Sequence, residues 1–121
     1  MKNILLCCLA ICIQIGCTPR ISYQQTDSLP DTSHIVYEGG SGKSYSDAII
    51  ITKANNSLEG ITSEYDYVAK NFGNRGTDWN IVSQAKQDEN GRIYDVLVIQ
   101  VNGKPEPLAL YFDITAFYGK L

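Results

Sequence analysis

Past residue 17 the chain contains no cysteine, and it holds one histidine and one tryptophan in 121 residues. The four cysteines crowd into the first 17 residues, so the body of the chain has nothing to staple and no thiol to hold zinc. That excludes a disulfide scaffold, a zinc finger and a multi-histidine metal centre there. Basic residues are scarce as well: 10 Lys and Arg stand against 13 Asp and Glu, for a net charge of −3. A nucleic-acid binder needs a basic surface to displace phosphate counterions, so nucleic acid is not an expected partner. No apolar run is long enough to cross a bilayer. Residues 4–15 would rise only about 18 Å as a helix, against a hydrocarbon core of about 30 Å. There is no Gly-x-Ser-x-Gly pattern to seat a nucleophile and no aspartate spacing of a calcium loop. No metal, no cofactor and no enzymatic activity are expected from this inventory.

What is present begins with an address. Lys2 precedes an apolar stretch, interrupted only by Gln14, that reads as a secretory signal peptide over residues 1–16. Cys7, Cys8 and Cys12 lie inside that stretch as small hydrophobes. Its end, Gln14-Ile15-Gly16-Cys17, resembles the lipobox of bacterial lipoproteins. Gly16 and Cys17 occupy the two most restrictive positions of that pattern, and Gln14 stands where Leu is usual. The resemblance implies that the Cys17 thiol is acylated, palmitate included, and that the chain is cut just before it. Thr18 in place of Asp after the cysteine implies onward transport to the outer membrane, facing the periplasm. Acyl chains contribute about 0.8 kcal/mol per buried methylene, so two or three of them make a stable anchor.

Residues 17–34 are polar, contain Pro19 and Pro30, and read as a lipidated flexible tether. Residues 35–121 have the composition of one small α+β domain. Ile35-Val36-Tyr37 is either a short strand or the end of the tether, and Gly39-Gly40-Ser41-Gly42 is a loop. The three isoleucines within residues 48–52 predict a short buried strand. Asn56 as N-cap, with Glu59 three residues on, then opens a helix over residues 57–72 that Gly73 closes. Its apolar stripe is Leu58, Ile61, Tyr65, Val68 and Phe72, which leaves Glu64, Asp66, Tyr67 and Lys70 toward solvent. Three strands follow, over residues 79–88, 92–101 and 108–115, with Asn90-Gly91 a type I′ hairpin signal and Asn102-Gly103 a second turn.

Strict alternation puts Trp79, Ile81, Ser83 and Ala85 on one face of the first of these strands, with Asn80, Val82, Gln84 and Lys86 on the other. Leu97, Ile99, Leu108, Leu110, Phe112 and Ile114 face the helix, while Tyr94, Val96, Val98, Tyr111 and Asp113 point away. The expected fold is therefore α+β: one strand, one helix, then a three-stranded antiparallel meander with the helix packed on one face. The first strand pairs either parallel beside residues 79–88 or antiparallel at the far edge. The closing run from Tyr111 to Lys120, the Gly-rich loop before Ala48-Ile49-Ile50-Ile51 and the Glu59-Gly60-Ile61 helix start are together similar to a group of small bacterial proteins. That group has no assigned activity, so the similarity, over residues 39–120, implies a domain boundary and no site.

Candidate chemistry is thin. Gly39-Gly40-Ser41-Gly42-Lys43-Ser44 approaches a phosphate loop, but Tyr37 stands where the first glycine belongs and the loop leads into a strand instead of a helix. His34 ends the tether with no nucleophile pattern around it. Asp95 falls on the helix-facing side, to be met by a strand end or a neighbouring amide, and Asp113 on the opposite one, so the two do not form an acid–base pair. The outward Tyr94, Val96, Val98 and Tyr111, with Val82 beside them, form the candidate binding face. The plain alternative is that these residues pair across strands and do nothing more. The expectation is a membrane-anchored envelope lipoprotein that binds or inhibits a partner protein. The alternative is an accessory subunit of an outer-membrane assembly complex.

The anchor is directly testable. Cys17→Ser removes the only thiol that the lipobox pattern offers, so the protein should lose its acyl mass and move from the membrane to the soluble fraction. Intact mass and fractionation of the two forms read this out.

Overall fold

The computed structural model describes residues 28–121, so Cys17 and the signal segment lie outside the described residues. The elements run β1 (Val36–Gly39), β2 (Ile49–Thr52), α1 (Ser57–Phe72), β3 (Trp79–Glu89), β4 (Arg92–Val101) and β5 (Leu108–Asp113). Five strands form one mixed sheet in the order β1-β2-β5-β4-β3. The meander of β3, β4 and β5 is antiparallel, as the two Asn-Gly turns require. Asn90 and Gly91 both take positive φ, 53° and 76°, the backbone of a type I′ turn.

Two strands, not one, precede the helix. Val36–Gly39 pairs antiparallel with β2, so the short segment at residues 35–37 is strand from Val36 onward. β2 lies on the far side of the meander, one of the two positions expected for it, but runs parallel where antiparallel pairing was expected, and β1 flanks it. It lies parallel to β5, with Ile49 opposite Phe112, and is separated from β3 by β5 and β4. The reason is burial. Ile49 and Ile51 share one face and are 1% and 0% exposed, and both belong to the core cluster that includes Phe112.

The helix begins at Asn56, whose side chain accepts the Glu59 amide at 3.0 Å, and Gly73 ends it with φ 95°. The Glu59 carboxylate returns to the Asn55 amide at 2.8 Å, one residue before the N-cap. The buried stripe differs from the expected one. Leu58 and Ile61 are 62% and 40% exposed, and the face turned to the sheet carries Gly60, Ser63, Glu64 and Val68. Tyr67, expected at the surface, is half-buried, with its ring 5.7 Å from Phe112 and 5.3 Å from Tyr37. Tyr37 fastens the far edge of the sheet to the helix by donating to the Ser63 carbonyl at 2.7 Å.

The cause of this rotation lies after β5. The last strand ends at Asp113, and the chain turns under the start of α1 with Ile114 and Phe117 buried. The Lys120 carbonyl accepts from the Ser57 amide at 3.0 Å and from its hydroxyl at 2.8 Å, which satisfies a free donor of the first helical turn. Phe117 then seats on Gly60. A Cβ at Gly60 would lie 2.1 Å from the ring, so only glycine admits this contact. The packing of Phe117 on bare backbone outweighs the drive to bury Leu58 and Ile61.

Gly60→Ala tests that order of forces. In an isolated helix the change is favourable by roughly 1 kcal/mol. Here the added methyl overpacks the Phe117 contact, and the net loss should be about 1–3 kcal/mol. Thermal unfolding should therefore show a lower melting temperature for Gly60→Ala, against a neutral or raised one if the tail does not bear on the helix.

Candidate functional site

The face of the sheet away from α1 carries the aromatic and β-branched set. Cross-strand register places Val96 opposite Tyr111, Val98 opposite Ala109, and Tyr94 opposite Asp113. The structure brings Tyr94, Val96, Val98 and Tyr111 onto one face and adds a residue the sequence reading missed. Tyr45, from the loop between β1 and β2, packs edge-on against Tyr94 at 5.0 Å and Tyr111 at 4.8 Å. Tilted and edge-to-face aromatic pairs add about 0.5–1.5 kcal/mol each beyond their area. Tyr94 is consequently 7% exposed, while Tyr45, Val96, Val98 and Tyr111 stay half-buried.

The Gly-rich loop is what delivers Tyr45. Gly42 is buried with φ 83°, its carbonyl accepts the Tyr111 amide at 2.8 Å, and a Cβ there would meet Ile49 Cδ1 at 2.7 Å. The loop thus prolongs the sheet beside β5 and then folds Tyr45 over it. It leads into β2, so no helix N-terminus stands behind it to receive a phosphate.

Beside Tyr94 a shallow polar depression of about 670 Å³ opens between Asp47, Tyr45 and the Arg92–Asp113 pair. Asp113 is fully engaged there. One oxygen accepts from Arg92, with Nη2 at 2.6 Å and Nε at 2.7 Å, and the other from the Thr115 amide and hydroxyl at 3.1 and 2.7 Å. The carboxylate in turn holds the Arg92 guanidinium protonated above its usual range. No lone pair is left free for proton transfer. An apolar groove of about 380 Å³ lies at the opposite end, between Phe72, Leu108 and the Pro105–Pro107 turn. His34 is exposed and meets Glu59 at 3.2 Å. Among the described residues no three His, Cys, Asp or Glu side chains gather as a metal site would require, and no helix is long and apolar enough to cross a membrane.

The helix-covered face holds the less expected chemistry. Glu64, read from the sequence as solvent-facing, is 0% exposed, and Asp95 is 8% exposed. They meet through Gln84. Its amide nitrogen donates to Asp95 Oδ2 at 2.6 Å and lies 3.3 Å from Glu64 Oε2, so the two carboxyls lie within about 6 Å of one another. Tyr65 donates to the Gln84 carbonyl oxygen at 2.6 Å and fixes the amide in this sense. Burial first, and then the nearby Asp95 charge, pushes the Glu64 carboxyl up to about 10, so it is neutral at physiological pH.

Gln84 reaches this position because β3 is irregular. Its register against β4 shifts between Ile81 and Ser83, which leaves Val82 as a bulge, 56% exposed. Beyond the bulge the alternation inverts. Gln84 and Lys86, opposite Leu97 and Asp95, face the helix, while Ser83 and Ala85 join Val98 and Val96 on the outer face. This corrects both face assignments made from strict alternation. A signal did exist, since Asp95 falls among leucine and isoleucine and an acid in that position needs a polar partner from another element.

Compared with known proteins, the chain matches no family model, no curated protein and no solved structure.

Among the described residues the amide of Gln84 is the only side-chain donor to either buried acid, although the residue as a whole is exposed. Gln84→Ala should cost about 1–3 kcal/mol by stranding both acids. Gln87→Ala, exposed on the outer side of the same strand, should change stability by less than about 0.5 kcal/mol. Urea unfolding of the two variants separates the cases.

Proposed function

We propose that the protein is a lipid-anchored envelope module that binds a partner protein through the sheet face bearing Tyr45, Val96, Val98 and Tyr111. The observation that supports this reading is the one-sided covering of the sheet. Helix α1 and the C-terminal turns cover the other face, and this one is roofed only in part, by a single tyrosine on a loop. Half-exposed tyrosines over β-branched residues supply large contact area at low conformational cost, which is the make-up of an interface anchor. The Cys17 anchor and tether set the domain beside a membrane, where the partner is another envelope protein or a secreted enzyme held inhibited. Should the partner prove to be part of an outer-membrane complex, the module is an accessory subunit of it. Catalysis has less support, because Asp113 is saturated and the Glu64–Asp95 pair lies under the helix.

Photo-crosslinkers placed at Ala85 on the outer face and at Asn71 on the exposed side of α1 test this reading in the producing cell. A defined partner should be trapped from Ala85 and not from Asn71. Tyr45→Ala should weaken the capture at least fivefold, the equivalent of about 1 kcal/mol for one anchor. Tyr94 is too buried to serve as the probe. Equal trapping from both faces, or capture indifferent to Tyr45, overturns the reading.

A further inference from the structure

Glu64 and Asp95 stand on different elements and share one neutral donor. Glu64 Oε1 and Asp95 Oδ1 are both buried and accept nothing from any other group. Among the described residues no cation forms an ion pair with either acid. Lys86, opposite Asp95 on β3, carries its amine to Tyr118, with the nitrogen 4.4 Å from that ring. Arg75 lies over the Tyr65 ring, 5.4 Å from its centre, and is exposed. From β5 the neighbour of Asp95 is Phe112, and from the C-terminal turns Phe117 packs one helical turn away, on Gly60. Two anions in such a setting repel, and one proton between them removes the repulsion and occupies an orphaned oxygen on each side.

We propose that Glu64, Asp95 and Gln84 form a proton latch that fastens the first half of α1 to the β3–β4 hairpin, and that loss of the shared proton releases this seam while the rest of the core holds. The rest of the core is apolar. Val68, on the second half of the helix, clusters with Trp79, Leu97, Ile99 and Phe112 of the sheet, and none of the five carries a titrating group. The first half instead presents Gly60, Thr62, Ser63 and Glu64 to the sheet. On the hairpin side, residues 83–92 are exposed along the sheet edge, so a break at the carboxyl pair opens directly to water. Neither cavity described above is lined by the pair, so no substrate path leads to it, and a latch is the use its position allows.

The sign of the pH dependence follows. Glu64 binds a proton in the folded chain up to about pH 10 and in the unfolded chain only up to about 4.5. Between those limits the folded state holds one more proton. Its advantage is complete below about 4.5 and falls by up to tenfold per pH unit as pH rises toward 10.

The test is made on the full chain. Carboxyl carbon-13 NMR should find the Glu64 side chain still neutral at pH 7. In Asp95→Asn its titration should move to lower pH, because the like charge is gone. Amide-exchange protection, corrected for intrinsic base catalysis, should fall between pH 7 and 9 for residues 57–66 and 83–92. At Ile99 and Val68 it should stay higher at every pH, because exchange there needs the whole core to open, and in Glu64→Gln the fall linked to Glu64 should vanish in seam and core alike. An ionised Glu64 at pH 7 overturns the proposal. So does an unmoved titration in Asp95→Asn, or seam protection no lower than that of the core. Should Glu64→Gln not fold, the two NMR titrations decide alone.

Discussion

One residue too many in β3 determines what lies under the helix. Without the bulge at Val82, alternation would carry Ser83 and Ala85 inward, and Asp95 would face them with no amide to bond. With it, Gln84 swings under α1 and the sheet can keep an acid in its interior. A bulge also increases local twist and interrupts an edge ladder. Val82 therefore serves the free edge as well, since a bulged, Lys86-bearing strand is a poor template for pairing with another chain.

The consequence is a helix with two unlike halves. Its C-terminal half rests on aliphatic and aromatic side chains, and Trp79 closes that end by donating to the Gly73 carbonyl at 2.8 Å. Its N-terminal half rests on a glycine, two hydroxyls and a carboxylic acid, held by directed contacts to Phe117, Tyr37 and Gln84. Burial is non-directional, whereas a hydrogen bond weakens steeply once its angle is bent. The position of the helix over the sheet is thus set by its polar half, and most of its cohesion comes from the apolar half.

The sequence was legible where the signal is local. Asn90-Gly91, the Asn56–Glu59 cap, Gly73 and the alternation of residues 93–101 each act over a few positions, and each appears in the structure close to where it was expected. Long-range competition was not legible. The strip Leu58, Ile61, Tyr65 makes a good amphipathic face on its own, and only the presence of Phe117, almost sixty residues away, rotates it off the sheet. Nothing near the three isoleucines tells them to lie beside Phe112, because that pairing is decided by total burial. The bulge is hidden because Val82 is itself a good strand residue. Of the candidate face, Tyr94, Val96, Val98 and Tyr111 follow from period two, but Tyr45 depends on a loop path that Gly42 permits and no periodicity encodes. The Glu64–Asp95 meeting needs all of these placements at once.

The parallel contact of β2 with β5, together with the Lys120 carbonyl on the first turn of α1, has a kinetic side. The β3–β4–β5 meander is made of near neighbours and can zip from its turns. β2 and α1 are synthesised earlier, yet their partners are the last strand and the turns after it. Contacts of such large sequence separation are slow to form, because loop entropy is lost before they contribute. During synthesis the isoleucine strand and the helix thus wait, unfinished, until residue 120 has emerged. The domain then closes in a late step that joins its earliest and latest segments.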